Sequence, residues 1–312
     1  MAGERIAVLG AGRMGCGIAQ VFCAAGHPVA LYDADPGALA KAPETIRGYT
    51  RLLELEPATM GGLRCTADFE AAVVDADVVI EAVPERLELK REIFARLEAT
   101  ARPAALLATN TSAIPIADIA AELRTPGRVL GMHFWNPPHL VPLVEVVQGA
   151  RTDPTCVDRA MSLLESVGMS PVHVRRDIPG FIGNRLQHAL KREAIALVAE
   201  GVCDARTLDR VVKEGFGARM AVLGPLEQSD MVGLNLTLDI HEVLIADLDR
   251  TPGPHPYLRA KVAAGETGMA KGIGFRTWTP EEATELKTQL DRHLVKAARE
   301  RLRQRAARAK LP

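Results

Sequence analysis

Six residues near the start of the chain, Gly10-Ala-Gly-Arg-Met-Gly15, limit its possible folds more than any other stretch. They lie between an apolar run, Arg5-Ile-Ala-Val-Leu9, and a helix-like segment, Cys16 to Ala25, closed by Gly26. A second strand-like run, His27 to Tyr32, ends at Asp33. A bare G-x-G-x-x-G is weak evidence, because glycine-rich turns are common. Between a strand and a helix, with an acid after the next strand, it predicts a dinucleotide-binding βαβ unit. Gly10 permits the tight turn, and Gly12 lets the backbone approach a pyrophosphate that faces the helix N-terminus. Gly15 lets helix and strand pack closely. Asp33 is placed to accept ribose hydroxyls and would repel a 2′-phosphate, so NAD is expected rather than NADP.

The pattern of strand, polar end and helix then repeats. Residues 36–64 read as a mostly helical excursion, with Ile46, Leu52 and Leu53 among its apolar positions and Pro57 and Gly61-Gly62 at its end. No run there marks a third strand. Ala76 to Ile80 is a strand that ends at Glu81-Ala-Val-Pro-Glu85, and Leu87 to Ala99 is an amphipathic helix carrying Lys90. Ala105 to Ala108 stops at Thr109-Asn-Thr-Ser112, Pro115 to Glu122 is expected to be a helix, and Val129 to Met132 ends at His133. In a parallel sheet these C-terminal ends share one edge. Gly10, Gly12, Asp33, Glu85, Asn110, Ser112 and His133 would therefore line one crevice.

His133 also opens a second pattern. Pro137 and Pro138 interrupt the strand, and Leu143-Val-Glu-Val-Val147 resumes it with a carboxylate at its centre. A hairpin centred near His139 would set His133 opposite Glu145, the arrangement a general base needs. Without that hairpin, the two are a strand-end histidine and an edge-strand glutamate that never meet.

The strand signals stop near Asp177-Ile-Pro-Gly180. Phe181 to Ala199 reads as a long helix with Asn184 in its first turn, and further helices follow. Thr279-Pro-Glu-Glu282 is a capping box that opens a terminal helix with a basic end, Arg299 to Lys310. We expect one domain over 1–178 and a second over 179–312. The net charge of −1 argues against a nucleic-acid or membrane surface. The five cysteines have no C-x-x-C or zinc spacing, so reduced thiols, a cytoplasmic setting and no metal are expected. The start, Met1-Ala-Gly-Glu-Arg, has no signal-peptide pattern, and no apolar run approaches a membrane span.

Seven pieces in order resemble the 3-hydroxyacyl-CoA dehydrogenase family: the 10–15 turn, Val79 to Glu85, Asn110-Thr-Ser112, Gly131 to Asn136, Leu143 to Val146, Asp177 to Arg185 and Gly224-Pro-Leu226. The resemblance implies an α/β Rossmann-like N-terminal domain with a mostly parallel sheet, then an all-α C-terminal domain that makes a homodimer. It puts the catalytic base on His133, its carboxylate partner on Glu145, and the oxygen-binding residues on Ser112 and Asn184. Met14, Asn110 and Asn136 match positions near the cofactor. Glu85 and Lys90 match positions that touch the nicotinamide ribose and phosphates. The implied reaction is NAD-dependent oxidation of a (3S)-3-hydroxyacyl-CoA to the 3-oxoacyl-CoA.

Two departures bear on the substrate and keep open, behind acyl-CoA as first choice, an alternative: a small free hydroxy-carboxylate of the gulonate, carnitine or pyridine-carboxylate kind. The acyl-CoA enzymes of the family commonly carry a lysine-rich hairpin between the second and third strands. Here residues 36–64 offer Lys41, Arg47 and Arg51. The stretches Asn136 to Pro142 and Gly217 to Pro225 also resemble the free-acid branches, and Arg219 is a candidate anchor for a substrate carboxylate. A lysine-dependent 3-hydroxyacid dehydrogenase would need a lysine where Gly180 stands. A non-catalytic NAD-binding structural protein is a remote further alternative, because every catalytic position is filled.

Overall fold

The computed structural model describes residues 3–55 and 62–308. Pro57, Gly61 and Lys310 lie outside them. The chain runs β1 (Ile6–Leu9), α1 (Arg13–Ala24), β2 (Val29–Tyr32), α2 (Pro36–Leu52), β3 (Leu63–Thr66), α3 (Phe69–Val73), β4 (Val78–Glu81) and α4 (Leu87–Thr100). It continues with β5 (Leu106–Thr109), α5 (Ile116–Ile119), β6 (Val129–Phe134), β7 (Leu143–Val147), α6 (Pro154–Ser166) and β8 (Ser170–Val174). Six helices follow: α7 (Gly183–Ala199), α8 (Ala205–Glu214), α9 (Pro225–Val232), α10 (Leu234–Leu244), α11 (Pro256–Ala263) and α12 (Pro280–Arg308).

The strands form one eight-stranded sheet in the order β3-β2-β1-β4-β5-β6-β7-β8. Strands β1 to β6 pair with one another in parallel, β7 is antiparallel to β6, and β8 is parallel to β7. The inner strands are apolar throughout because both faces are covered. In β1, Ile6 and Val8 join a cluster with α1, α2 and α6, while Ala7 and Leu9 join one with α3, α4 and α5. Asp35 and Asp153 cap α2 and α6, each with proline at the first helical position.

Three local expectations need correction. Leu63-Arg-Cys-Thr66 is an edge strand, half exposed and so without the apolar run that marks an inner one. Helix α5 ends at Ile119 rather than Glu122, and the Arg151 guanidinium binds the free carbonyls of Ala120 and Ala121 just beyond its end. Helix α7 starts at Gly183 rather than Phe181, because Phe181 is left-handed at φ +50°.

By compactness the chain divides into two units. One comprises Met1–Arg185 with Leu290–Pro312, the other Leu186–Gln289. The end of the chain returns to the first unit because α12 is apolar on one side there. Leu294, Val295, Ala298 and Leu302 pack on Leu53, Leu55 and Leu140. Arginines fasten the contact: Arg299 to Glu54 and the Leu52 carbonyl, Arg301 to the Leu140 carbonyl, and Arg305 to the Ser166 carbonyl. The second unit is helical and exposes many large apolar side chains, among them Leu234, Leu236, Leu238, Ile240 and Val243 on α10. No helix among the described residues is long and apolar enough to cross a membrane.

Candidate active site

The 10–15 turn joins β1 to α1 at the C-terminal edge of the sheet. Gly10 has φ +106°, and a Cβ there would stand 2.7 Å from the Ala82 carbonyl. A Cβ on Gly15 would overlap the Gly10 carbonyl, whereas the space beside Gly12 is open to a ligand. Asp33 reaches back from β2 to accept the Ala11 N–H at 2.6 Å, and it stays partly exposed. The side chain of Met14 is half-buried against the core.

The hairpin forms as the prolines and the carboxylate-centred strand require. Antiparallel pairing of β6 with β7 sets His133 directly across from Glu145. The Nδ1–H donates to Glu145 Oε2 at 2.8 Å, and both side chains are buried. Nε2 has no protein partner among the described residues, so it is the nitrogen left to exchange a proton. Glu145 Oε1 accepts the N–H groups of Ile182 and Gly183 at 2.9 and 3.0 Å. Burial would raise the Glu145 carboxyl, but the hydrogen bonds from His133, Gly183 and Ile182 outweigh it and hold it below the usual range. Next along α7, Asn184 Nδ2 donates to the Ser112 carbonyl at 3.0 Å. The turn into α7 thus touches both the His133–Glu145 pair and the loop that follows β5.

That loop is held by a second carboxylate. Glu85 Oε1 accepts from the Thr111 hydroxyl at 2.5 Å and from the N–H groups of Ser112 and Ala113 at 2.9 and 3.2 Å. Burial raises the Glu85 carboxyl, while the Thr111 hydrogen bond, the Lys90 charge and the Ser112 N–H lower it further, leaving a net depression. Asn110 crosses from β5 to β6, its Oδ1 accepting the Phe134 N–H at 2.8 Å. Lys90 is only 1% exposed. Its ammonium meets Glu81 Oε1 and Oε2 at 2.7 and 2.9 Å and Glu85 Oε2 at 3.2 Å. These contacts take all three of its donors. Lys90 therefore stands behind Glu85, with its ammonium enclosed by the two carboxylates.

Residues 5–178 match the NAD binding domain of 3-hydroxyacyl-CoA dehydrogenase, and residues 180–278 match that family's C-terminal domain. The chain belongs to the 3-hydroxyacyl-CoA dehydrogenase family. It is similar to 5-formyl-3-hydroxy-2-methylpyridine 4-carboxylate 5-dehydrogenase of Mesorhizobium japonicum, 36% identical over 95% of this chain and 97% of that one. L-carnitine dehydrogenase of Streptomyces griseus is 41% identical over 72% and 68%. A probable 3-hydroxybutyryl-CoA dehydrogenase of Bacillus subtilis is 39% identical over 87% and 96%. A solved structure of a pyridine-carboxylate 5-dehydrogenase of the first kind superimposes with a TM-score of 0.89 at 36% identity, over 96% of this chain and 99% of that one.

As in its family, this dehydrogenase uses NAD, and the chain fits that cofactor. The room beside Gly12 and the partly exposed Asp33 are where the glycine turn and the ribose-binding acid require them. Asn136 is exposed in the turn after β6. Arg219 lies in the second unit, exposed and without a side-chain partner among the described residues. Sequence reasoning passed over Glu81, although an acid closing the apolar run Val78-Val-Ile80 ahead of a lysine-bearing helix was a usable signal. It also passed over Thr109 and Thr111, whose hydroxyls bind Glu81 and Glu85, and no short motif marks them.

These depressed carboxyls give the fold an acid limit. An unfolded glutamate takes up its proton near pH 4.3, above the pH at which folded Glu85 and Glu145 do. Their contribution to stability is therefore complete above that pH and fades as the pH falls through the folded values. Thermal unfolding followed by circular dichroism should show the midpoint falling as the pH drops below about 4.3. The fall should be shallower in Glu85→Gln.

Proposed function

We propose that this dehydrogenase oxidises the alcohol of a small free hydroxy-carboxylate. His133 Nε2 takes the hydroxyl proton while Glu145 holds the opposite ring nitrogen and stabilises the imidazolium. Ser112 and Asn184 fix the reacting oxygen, and Gly10, Gly12, Gly15, Asp33 and Glu85 hold the cofactor. Bound NAD supplies the hydride acceptor. Arg219 is proposed as the carboxylate anchor on its chemistry, a planar cation able to make a bidentate pair.

The observation that carries the free-acid reading is the scarcity of cations between β2 and β3. Arg47 and Arg51 both pair with Glu44, at 3.0 and 2.6 Å, which leaves Lys41 as the unpaired cation among the described residues of that excursion. The phosphates of a CoA ester would find little there. The similarity to the pyridine-carboxylate dehydrogenase over nearly both whole chains supports the same reading. An acyl-CoA substrate is the second reading, favoured by the match over 96% of the 3-hydroxybutyryl-CoA dehydrogenase relative. The apolar surface of α10 supports a homodimer formed through the second unit.

NADH oxidation with acetoacetyl-CoA beside a panel of small free oxo-acids separates the readings. The free acids should turn over faster, and Arg219→Met should raise their KM by about tenfold or more, the loss of one charged hydrogen-bonded contact. Faster turnover of the CoA ester, untouched by Arg219→Met, would reverse the assignment. NADH binding with no turnover of any substrate would leave the structural reading.

A further inference from the structure

The two amides on Glu145 Oε1 are delivered by a turn that local chemistry opposes. Gly180 has φ +76°, and Phe181 follows it into the left-handed region at φ +50° despite its Cβ. Such a residue persists only where its surroundings enforce it. Here Phe181 is fully buried, its N–H is held by the Ile178 carbonyl at 3.0 Å, and its ring centroid lies 5.6 Å from that of His133. The Trp135 ring lies 5.7 Å from the same imidazole. The far edge of that indole rests on Gly183 so closely that a Cβ there would overlap Trp135 Cζ2. The two aromatic neighbours of the His133 ring are therefore tied to the same four residues that present the Ile182 and Gly183 amides.

We propose that Phe181 and Gly183 are positioning residues for the base. Gly183 lets the indole lie against the start of α7, which places its own amide and that of Ile182 on Glu145 Oε1. With that oxygen pinned, Oε2 is aimed at His133 Nδ1. This inference rests on His133 acting as the base. If Gly183 served only helix packing, its substitution would cost the same with or without a carboxylate at position 145.

The test is a double-mutant cycle in turnover. Gly183→Ala should lower kcat by about 10²-fold, the scale of a misplacement near 1 Å. In a Glu145→Ala background, with no carboxylate left to aim, it should cost almost nothing more. Trp135→Phe removes the indole edge that the new Cβ would strike. Combined with Gly183→Ala, it should restore turnover to near that of Trp135→Phe alone. Equal losses in both backgrounds, or no rescue by Trp135→Phe, would overturn the proposal. If the wild type turns over none of the substrates, the functional reading is what has failed. Amide hydrogen exchange then decides the positioning on its own: Ile182 and Gly183 should be protected in the wild type and faster by an order of magnitude or more in Glu145→Ala. Unchanged exchange would count against it.

Discussion

His133→Ala should lower turnover by about 10²–10⁴-fold, the usual worth of a positioned general base, and leave NADH affinity unchanged. The first half follows from the hydrogen bonds. Nδ1 is committed to Glu145, and Nε2 has no protein partner among the described residues. Removing the imidazole removes the group able to take the hydroxyl proton, and water at that point has no carboxylate-oriented substitute. The second half follows from where the cofactor residues lie. Gly10 and Gly12 lie in the turn between β1 and α1, Asp33 follows β2, and none bonds to His133. Glu145 keeps its two backbone donors in the variant, so the carboxylate is not stranded. Steady-state kinetics and a fluorescence titration with NADH measure the two halves separately. Unchanged turnover would remove His133 from the mechanism, and a parallel loss of NADH binding would mean that the site had collapsed.

Lys90→Met should destabilise the first unit by about 3–5 kcal/mol, the cost of breaking a buried ion pair from one side. Glu81 is fully buried and would lose the cation that meets both its oxygens. Two donors remain to it, the Thr109 hydroxyl at 2.6 Å and the Val83 N–H at 2.8 Å, but neither carries charge. Glu81→Gln in the same chain should recover most of the loss, because no buried charge is then left alone. Urea unfolding reads both variants. A loss within about 0.5 kcal/mol, the range of ordinary surface substitutions, would show that water or rearrangement replaces the lysine. Activity should fall as well, since Lys90 steadies Glu85, and Glu85 holds the loop carrying Ser112.

Much of this architecture was legible in the residues, for local reasons. The glycine turn needs its own strand and helix, and Asp33 follows the next strand, so spacing alone places them. The pairing of His133 with Glu145 is legible as two strand-like runs folded about the prolines near His139, a short-range signal. What escaped notice depends on distant partners. The burial of Lys90 on an amphipathic helix depends on its pairing with Glu81, at the end of a strand nine residues earlier, and with Glu85. Strand β3 carries an arginine and a threonine and lies at the sheet edge, so no apolar run announces it. The return of α12 to the first unit depends on Leu53 and Leu140, which are far from it in sequence.

That return has a consequence for synthesis. Residues 186–289 are an insertion in a unit whose two parts are separated in the chain. On the ribosome, the sheet and its glycine turn can form while α12 has yet to be made. Leu53 and Leu140 then wait, uncovered, for more than a hundred residues of helical chain to emerge. The nascent nucleotide-binding unit therefore carries a temporary sticky patch around Leu53 and Leu140. It is a place where a chaperone would help, and it closes as almost the last act of folding.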